Sequence, residues 1–376
     1  MVPPEQPPEL PGEVVDPLSG LPESVRKRLG SVGSRHHYVP EFLLKRFAVE
    51  SGRSFHIYQY LIQERKTNFP SIKDVAVVKD YNTVKTRPKE EAGLIELHFA
   101  TIEEEAAPII SALVEGETPS LQELADLAVF VAAQQGRTPR GRANSRFMME
   151  EARRFYTINQ VSSEDDLAKN SLRKSLGREP SDEEVAKWRA DMIAMLQHDV
   201  KFVAQHDHEV TGQTIGLEKL AEAVFSKEVL VLHAPPAKRY RFILSDEPLV
   251  RYNRANPKGN AGWLSSPAFE ATLPIDPTVC LLFHTGAAGS VGQVRCPASQ
   301  VEDINLRTFA WARKSIFGSS EVLLEGVGRQ AKANPKRVES LRPHAPNIYI
   351  FEEEHPKSLA GATVIPGPTK APIRRD

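Results

Sequence analysis

Apolar residues recur at two different periods along this chain, and the period changes near residue 228. Before that point the spacing is helical. Ile95, Phe99, Ile102, Ala106, Ile109 and Leu113 fall on one stripe and predict a half-buried helix over residues 90–113. Pro108 should kink or shorten it, because proline removes a main-chain donor and crowds the preceding turn. Ser120 is placed to cap a strongly apolar helix over residues 121–134, with Glu123 in its first turn. Further helices are predicted over 142–159, from the Ser181-Asp182-Glu183-Glu184 opening to about 204, and over 217–225. One earlier run, Phe55 to Tyr60, has the alternation and aromatic content of a strand. Beyond 228, the runs 229–232, 241–245 and 279–283 read as strands, with a helix over 299–314 and a last strand over 347–351. Helices gathered ahead of strands, without regular βαβ alternation, define an α+β fold. The expected form is a predominantly helical N-terminal half packed on a small, mostly antiparallel sheet formed by the C-terminal half.

Proline sets the expected boundaries. Pro3, Pro4, Pro7, Pro8, Pro11, Pro17 and Pro22 favour extended, solvated backbone, so residues 1–33 are expected to be a disordered arm. Pro366, Pro368 and Pro372 mark 356–376 as a similar tail, leaving one globular domain over 34–355. With 376 residues, 40% of them hydrophobic and 26% charged, that domain has ample material for a core. A net charge of −1 removes any global attraction to nucleic acid or anionic lipid, so a polyanion would need a local patch. The two cysteines, Cys280 and Cys296, are too few for a disulfide framework or a thiolate zinc site and fit a reducing compartment. No apolar run reaches the roughly 18 residues needed to span a bilayer. The proline-rich, acidic start is unlike a secretory signal. The expectation is a cytoplasmic protein with no membrane partner.

Candidate chemistry begins at His36-His37-Tyr38-Val39-Pro40, where paired imidazoles could supply a metal ligand, a base, or both. Four other places break the local pattern. Glu103 has Phe99, Ala106, Ala107 and Ile110 as helical neighbours, so its carboxylate meets the core edge and must pair, bind a cation or shift its pKa upward. Gln134 and Arg137 close an apolar helix before Thr138-Pro139, followed by Arg140, Arg142, Arg146, Arg153 and Arg154. A guanidinium there can clamp phosphate, or the run is a solvated face in which Arg146 pairs with Glu150. Ser245-Asp246-Glu247-Pro248 ends a predicted strand, where Asp246 either projects into a cleft or closes an Asx-turn. Asn305 shares a stripe with Val301, Phe309 and Ala312, so its amide needs a buried partner, such as an adjacent loop.

These residues carry a resemblance. The paired-His-Tyr-x-Pro start, followed by Phe42 to Phe47, is similar to the opening of domain-of-unknown-function family 4238. The likeness continues through Ile102-Glu103, Gln134-x-x-Arg137-Thr138-Pro139, Phe242 to Pro248, Leu273-Pro274 and Asn305, in order over roughly residues 34 to 318. This sequence departs from the family at Glu247, where Asn is commoner. The resemblance implies a shared domain and brings no specific chemistry with it.

Two functions are expected from the residues. One is a metal-assisted hydrolase of the nuclease or phosphodiesterase class, acting on a phosphate-containing or nucleic-acid substrate. His36, His37, Glu103 and Asp246 would be catalytic, and His37, Glu103 and Asp246 would hold a divalent metal ion. Gln134, Arg137 and Asn305 would bind substrate. Adjacent side chains in an extended segment point opposite ways, so only one histidine of the pair can be a direct ligand. The other is a non-catalytic binding module for an anionic ligand or partner, with the same residues forming a binding or structural polar network.

Overall fold

The stripe from Ile95 to Leu113 lies along the helix Leu94–Glu115 in a computed structural model that describes residues 23–89, 91–253 and 269–343. Phe99, Ile102, Ala106, Ile109, Ile110 and Leu113 are buried on one face, and Pro108 sits on the exposed face, where the helix runs past it. The next helix, Leu121–Arg137, packs against this one. Its start is a reciprocal capping box. Ser120 Oγ accepts from Glu123 N–H, and the Glu123 carboxylate accepts from Ser120 N–H. The Glu123 carboxyl is held below its ordinary range by those bonds.

A third long helix, Pro139–Ser163, begins immediately afterwards. Thr138 caps it through Oγ1, which accepts from Gly141 N–H at 3.1 Å, and Pro139 takes the first helical position, where its missing donor costs nothing. Gly141 is obligatory in this reversal. A Cβ there would stand 2.0 Å from the Gln135 carbonyl oxygen. The Thr138-Pro139 signature is therefore the joint between two helices.

The main sheet runs Val291–Arg295, Glu228–His233, Val279–His284, Phe269–Asp276 and Val250–Asn253 in spatial order, and only the first pair is parallel. Phe269, Ala271, Leu273, Ile275, Leu281 and Phe283 join the two packed helices in one core cluster. Leu43, Leu44 and Phe47 of the motif's short helix Glu41–Arg46 and its end are fully buried in the same cluster. The class is α+β, and the order of elements is mixed. Small strands occupy the N-terminal half, where Arg35–His37 pairs with Val77–Lys79 and Tyr58–Leu61 enters a four-stranded sheet with Ser315–Gly318. Helices Ala298–Trp311, Glu321–Ala333 and Pro335–Leu341 close the described chain.

Several boundaries differ from expectation for identifiable reasons. The run 241–245 is paired as a strand only at Leu244–Ser245. Ile243 N–H donates instead to Asn305 Oδ1, and Phe242 N–H to the Pro277 carbonyl. The helix expected to reach 204 is Asp182–His198. Ala204 N–H beyond it is taken by the Glu150 carboxylate. Within the arm expected to be extended, residues Glu23–Gly30 are helical and lie against the helix Leu94–Glu115. The expected strand 347–351, the tail 356–376 and most of the arm lie outside the described residues. No described helix is long and apolar enough to cross a membrane.

Candidate functional site

The paired histidines face opposite ways, as an extended segment requires. His36 is buried. Its Nε2 donates to the Gly33 carbonyl at 2.8 Å, and its Nδ1 accepts from Asn82 N–H at 2.8 Å, a pattern that selects the neutral Nε2–H tautomer. Asn82 in turn donates through Nδ2 to Glu96 at 2.7 Å and accepts from Gln213 at 3.2 Å. His37 is half-buried with Nε2 at 3.3 Å from the Ile72 carbonyl, and burial holds its pKa below the usual histidine value.

What His37 offers to the rest of the motif set is its backbone. Arg137, 2% exposed, donates one guanidinium nitrogen to the His37 carbonyl and another to the Glu103 carboxylate, while its plane lies 4.9 Å from the Phe99 ring. Gln134 Nε2 donates to the Tyr38 carbonyl at 2.8 Å. Burial pushes the Glu103 carboxyl upward and the Arg137 charge opposes that push. Glu103, Gln134 and Arg137 thus meet, and together they fasten residues 37–38 onto two helices. Arg137 has both terminal nitrogens occupied, which leaves it no fork for a phosphate.

Asp246 and Asn305 work on the main chain elsewhere. Asp246 accepts from Arg313 N–H at 2.8 Å, Lys314 N–H at 2.7 Å and Ser315 N–H at 3.2 Å, so its carboxylate shapes the turn leading into the strand Ser315–Gly318. Burial raises its pKa against those three donors. The local turn is closed by Ser245 instead, whose Oγ bonds both the carbonyl and the N–H of Glu247. Asn305 accepts from Ile243 N–H and donates to the Arg241 carbonyl at 2.8 Å. It ties a helix to the segment that lacks a strand partner.

The proposed metal set fits poorly. Among the described residues no three His, Cys, Asp or Glu side chains are grouped to hold an ion. His37 points at a carbonyl, Glu103 is neutralised by Arg137, and Asp246 has both oxygens occupied by backbone donors. A cation beside Glu103 would also face the Arg137 charge. No mechanistic step through a metal follows from this arrangement. The arginine run likewise finds partners other than those expected: Arg146 and Arg142 both pair with Glu209 instead of Arg146 with Glu150, and Arg154 pairs with Glu151.

A different convergence lies where Tyr38, Tyr81, the helix joint and the turn at 311–315 come together. The Tyr38 and Tyr81 rings are 6.1 Å apart. Glu247 accepts from Arg140 N–H at 2.9 Å and from the Thr138 hydroxyl, sealing the start of the third helix, and burial pushes its pKa up to about 7. Arg140 Nη2 donates to the Trp311 carbonyl at 2.8 Å, its guanidinium 5.6 Å from the Trp311 ring. The charges of Glu247 and Arg313 reach both phenols, and burial raises both, Tyr81 to about 12. Both therefore stay protonated donors. The Tyr81 hydroxyl is buried without a hydrogen-bond partner among the described residues, as are Arg137 Nε, Gln134 Oε1 and Arg140 Nε, the last 3.8 Å from the Glu247 carboxylate. Arg313 is exposed, and its side chain makes no hydrogen bond or ion pair with a described residue.

Neither Tyr81 nor Arg313 breaks a local pattern in the sequence. Tyr38 carried a signal by lying inside the motif, whereas Tyr81 and Arg313 sit in turns where a polar residue breaks no period.

The segments that meet in these networks, from the paired histidines to the turn at 311–315, span one family domain. The family described as "Protein of unknown function (DUF4238)" matches residues 35–321, and the chain belongs to it. No curated protein and no solved structure matches the chain.

Proposed function

We propose that this chain is a binding module for a small anionic ligand, received by the hydroxyls of Tyr38 and Tyr81 and the guanidinium groups of Arg313 and Arg140. The observation that carries this reading is the buried Tyr81 hydroxyl, which makes no well-formed hydrogen bond among the described residues even with the Arg142 guanidinium over its ring, together with the Arg313 side chain, unpaired among the described residues. A buried polar atom without a bond is costly, so it marks a place where another group belongs. The neighbouring carboxylates Asp246 and Glu247 set a negative field that the Arg140 and Arg313 charges offset. A phosphate monoester, with oxygens that accept from both phenol and guanidinium, suits this donor set. Pairing of Arg142, Arg146 and Arg154 with carboxylates favours a small anion over a long polyanion, which needs a continuous basic track.

Calorimetric titration with inorganic phosphate and a phenyl phosphate tests the reading. Arg313→Ala should weaken binding by about tenfold, the loss of one charge-assisted hydrogen bond. Equal affinity in Arg313→Ala and the parent, or no heat with either probe, rejects it.

One observation favours a second reading, a hydrolase that uses a carboxylic acid. Glu247 titrates near the pH at which a general acid or base works best. Turnover of an activated phosphodiester that is abolished in Glu247→Gln, with and without added divalent ions, would move the assignment to this class. Loss of turnover only when the divalent ion is withheld would support the metal-assisted form.

A further inference from the structure

We infer a second, separate ligand site beside His36 of the histidine motif: a cavity that takes a small organic cation, a primary ammonium group on a short apolar body. The cavity is an open groove of about 210 Å³ between the helix Glu23–Gly30 with its following turn and the helix Leu94–Glu115. Val32, Leu97 and Ala100 supply apolar wall, and His36 and Glu96 supply polar lining.

The charge inside decides the ligand. Arg28 and Arg35 also line the cavity, but Arg28 is bonded to Glu104 at 2.6 Å and Arg35 to Asp74 at 2.8 Å. His36 brings no charge in the tautomer its two bonds impose, because Nδ1 already accepts from Asn82 N–H. What remains is Glu96. Its Oε2 accepts from Asn82 at 2.7 Å, and its Oε1 makes no hydrogen bond with a described residue. The sum over the two arginines, Glu104, Asp74 and Glu96 is one negative charge, located at the lining carboxylate. An ammonium can donate to Glu96 Oε1 and place its chain against Val32, Leu97 and Ala100. An anion would face the unneutralised Glu96 carboxylate, and the two arginines that could attract it are each already paired with a carboxylate. Because one wall belongs to the segment 28–33 and the other to the long helix, an occupant would clamp the first onto the second.

Full-length protein titrated with n-butylammonium and, in parallel, with butyrate tests this, followed by calorimetry and by amide exchange in residues 23–33. The expected results are binding of n-butylammonium alone, slower exchange in that segment, and about tenfold weaker binding in Glu96→Gln. Ala100→Leu fills the cavity while keeping the carboxylate and should also remove binding. It serves as the second variant if Glu96→Gln fails to fold, with circular dichroism reporting the fold. No n-butylammonium binding, butyrate binding of equal strength, or n-butylammonium affinity unchanged in both variants overturns the inference. Phosphate titration of the same variants reads the anion site separately, so the two proposals fail independently.

Discussion

Two polar regions flank the residues 36–38, and they differ in one respect. In the first, Arg137, Glu103, Gln134 and His36 each hold named partners, as Asp246 and Asn305 do elsewhere in the fold, most of them main-chain groups. In the second, the Tyr81 hydroxyl makes no hydrogen bond and the Arg313 guanidinium is free among the described residues, whereas the buried atoms left over in the first, Arg137 Nε and Gln134 Oε1, belong to side chains already held through their other polar atoms. The first region contains the residues that look most catalytic in sequence, and the second contains the groups still able to bind something. A satisfied polar group stabilises one backbone arrangement, whereas an unsatisfied one costs stability and persists where a ligand supplies the missing bond.

Substitutions can break that contrast. The largest effect is expected at Glu103→Ala, which strands the Arg137 charge in the core and should remove about 3 kcal/mol or more of stability. Urea denaturation measures it, and a loss under about 1 kcal/mol would mean that the ion pair is not structural.

Glu247 comes next and depends on pH. Its folded-state pKa is raised from 4.5 to about 7, so the folded chain holds this proton more tightly than the unfolded one. Its contribution is most favourable below about pH 4.5 and is lost as pH rises through about 7. Glu247→Gln lacks this loss and should gain on the parent by up to about 3 kcal/mol between about pH 4.5 and pH 8. Parallel stability curves for the two proteins over that range would show that Glu247 does not titrate there.

Asn305→Ala leaves the Ile243 N–H and the Arg241 carbonyl without their partner and should cost about 2 kcal/mol, read as a lower urea midpoint at unchanged slope. The smallest loss of stability belongs to Arg313→Ala, within about 0.5 kcal/mol of the parent, and to Tyr81→Phe, which removes a buried hydroxyl without a hydrogen bond and should raise stability by about 1 kcal/mol. Those two variants should nevertheless weaken phosphate binding the most. If they destabilise as much as Asn305→Ala, the two regions are alike and the contrast is lost.

Local features were legible from residue order. Ser120 and Glu123 announced their cap because both halves of the capping box lie within one turn. The helix Leu217–Phe225 matches its expected span because its apolar stripe is self-contained. Glu103 was recognisable as a carboxylate that needs a partner, since its neighbours at helical spacing are apolar. The partner was beyond reach of such reasoning. Arg137 comes from another helix, 34 positions away, and only the packing of the two helices selects it. The strand expected at 241–245 shortened because an amide 62 positions on replaced a strand partner. Arg146 found Glu209 instead of Glu150 because the short helix His206–Gly212 packs across it and Glu150 turns to Ala204.

Periodicity and capping by themselves determined the class, most helices and the buried stripe, and marked Glu103 as a carboxylate in need of a partner, because those depend on neighbours within about four residues. Tertiary packing decided which polar groups are already satisfied and which are not. That distinction depends on donors and acceptors brought together from segments far apart in the chain, a hundred residues for Arg137 and the His37 carbonyl, and no local pattern encodes the meeting.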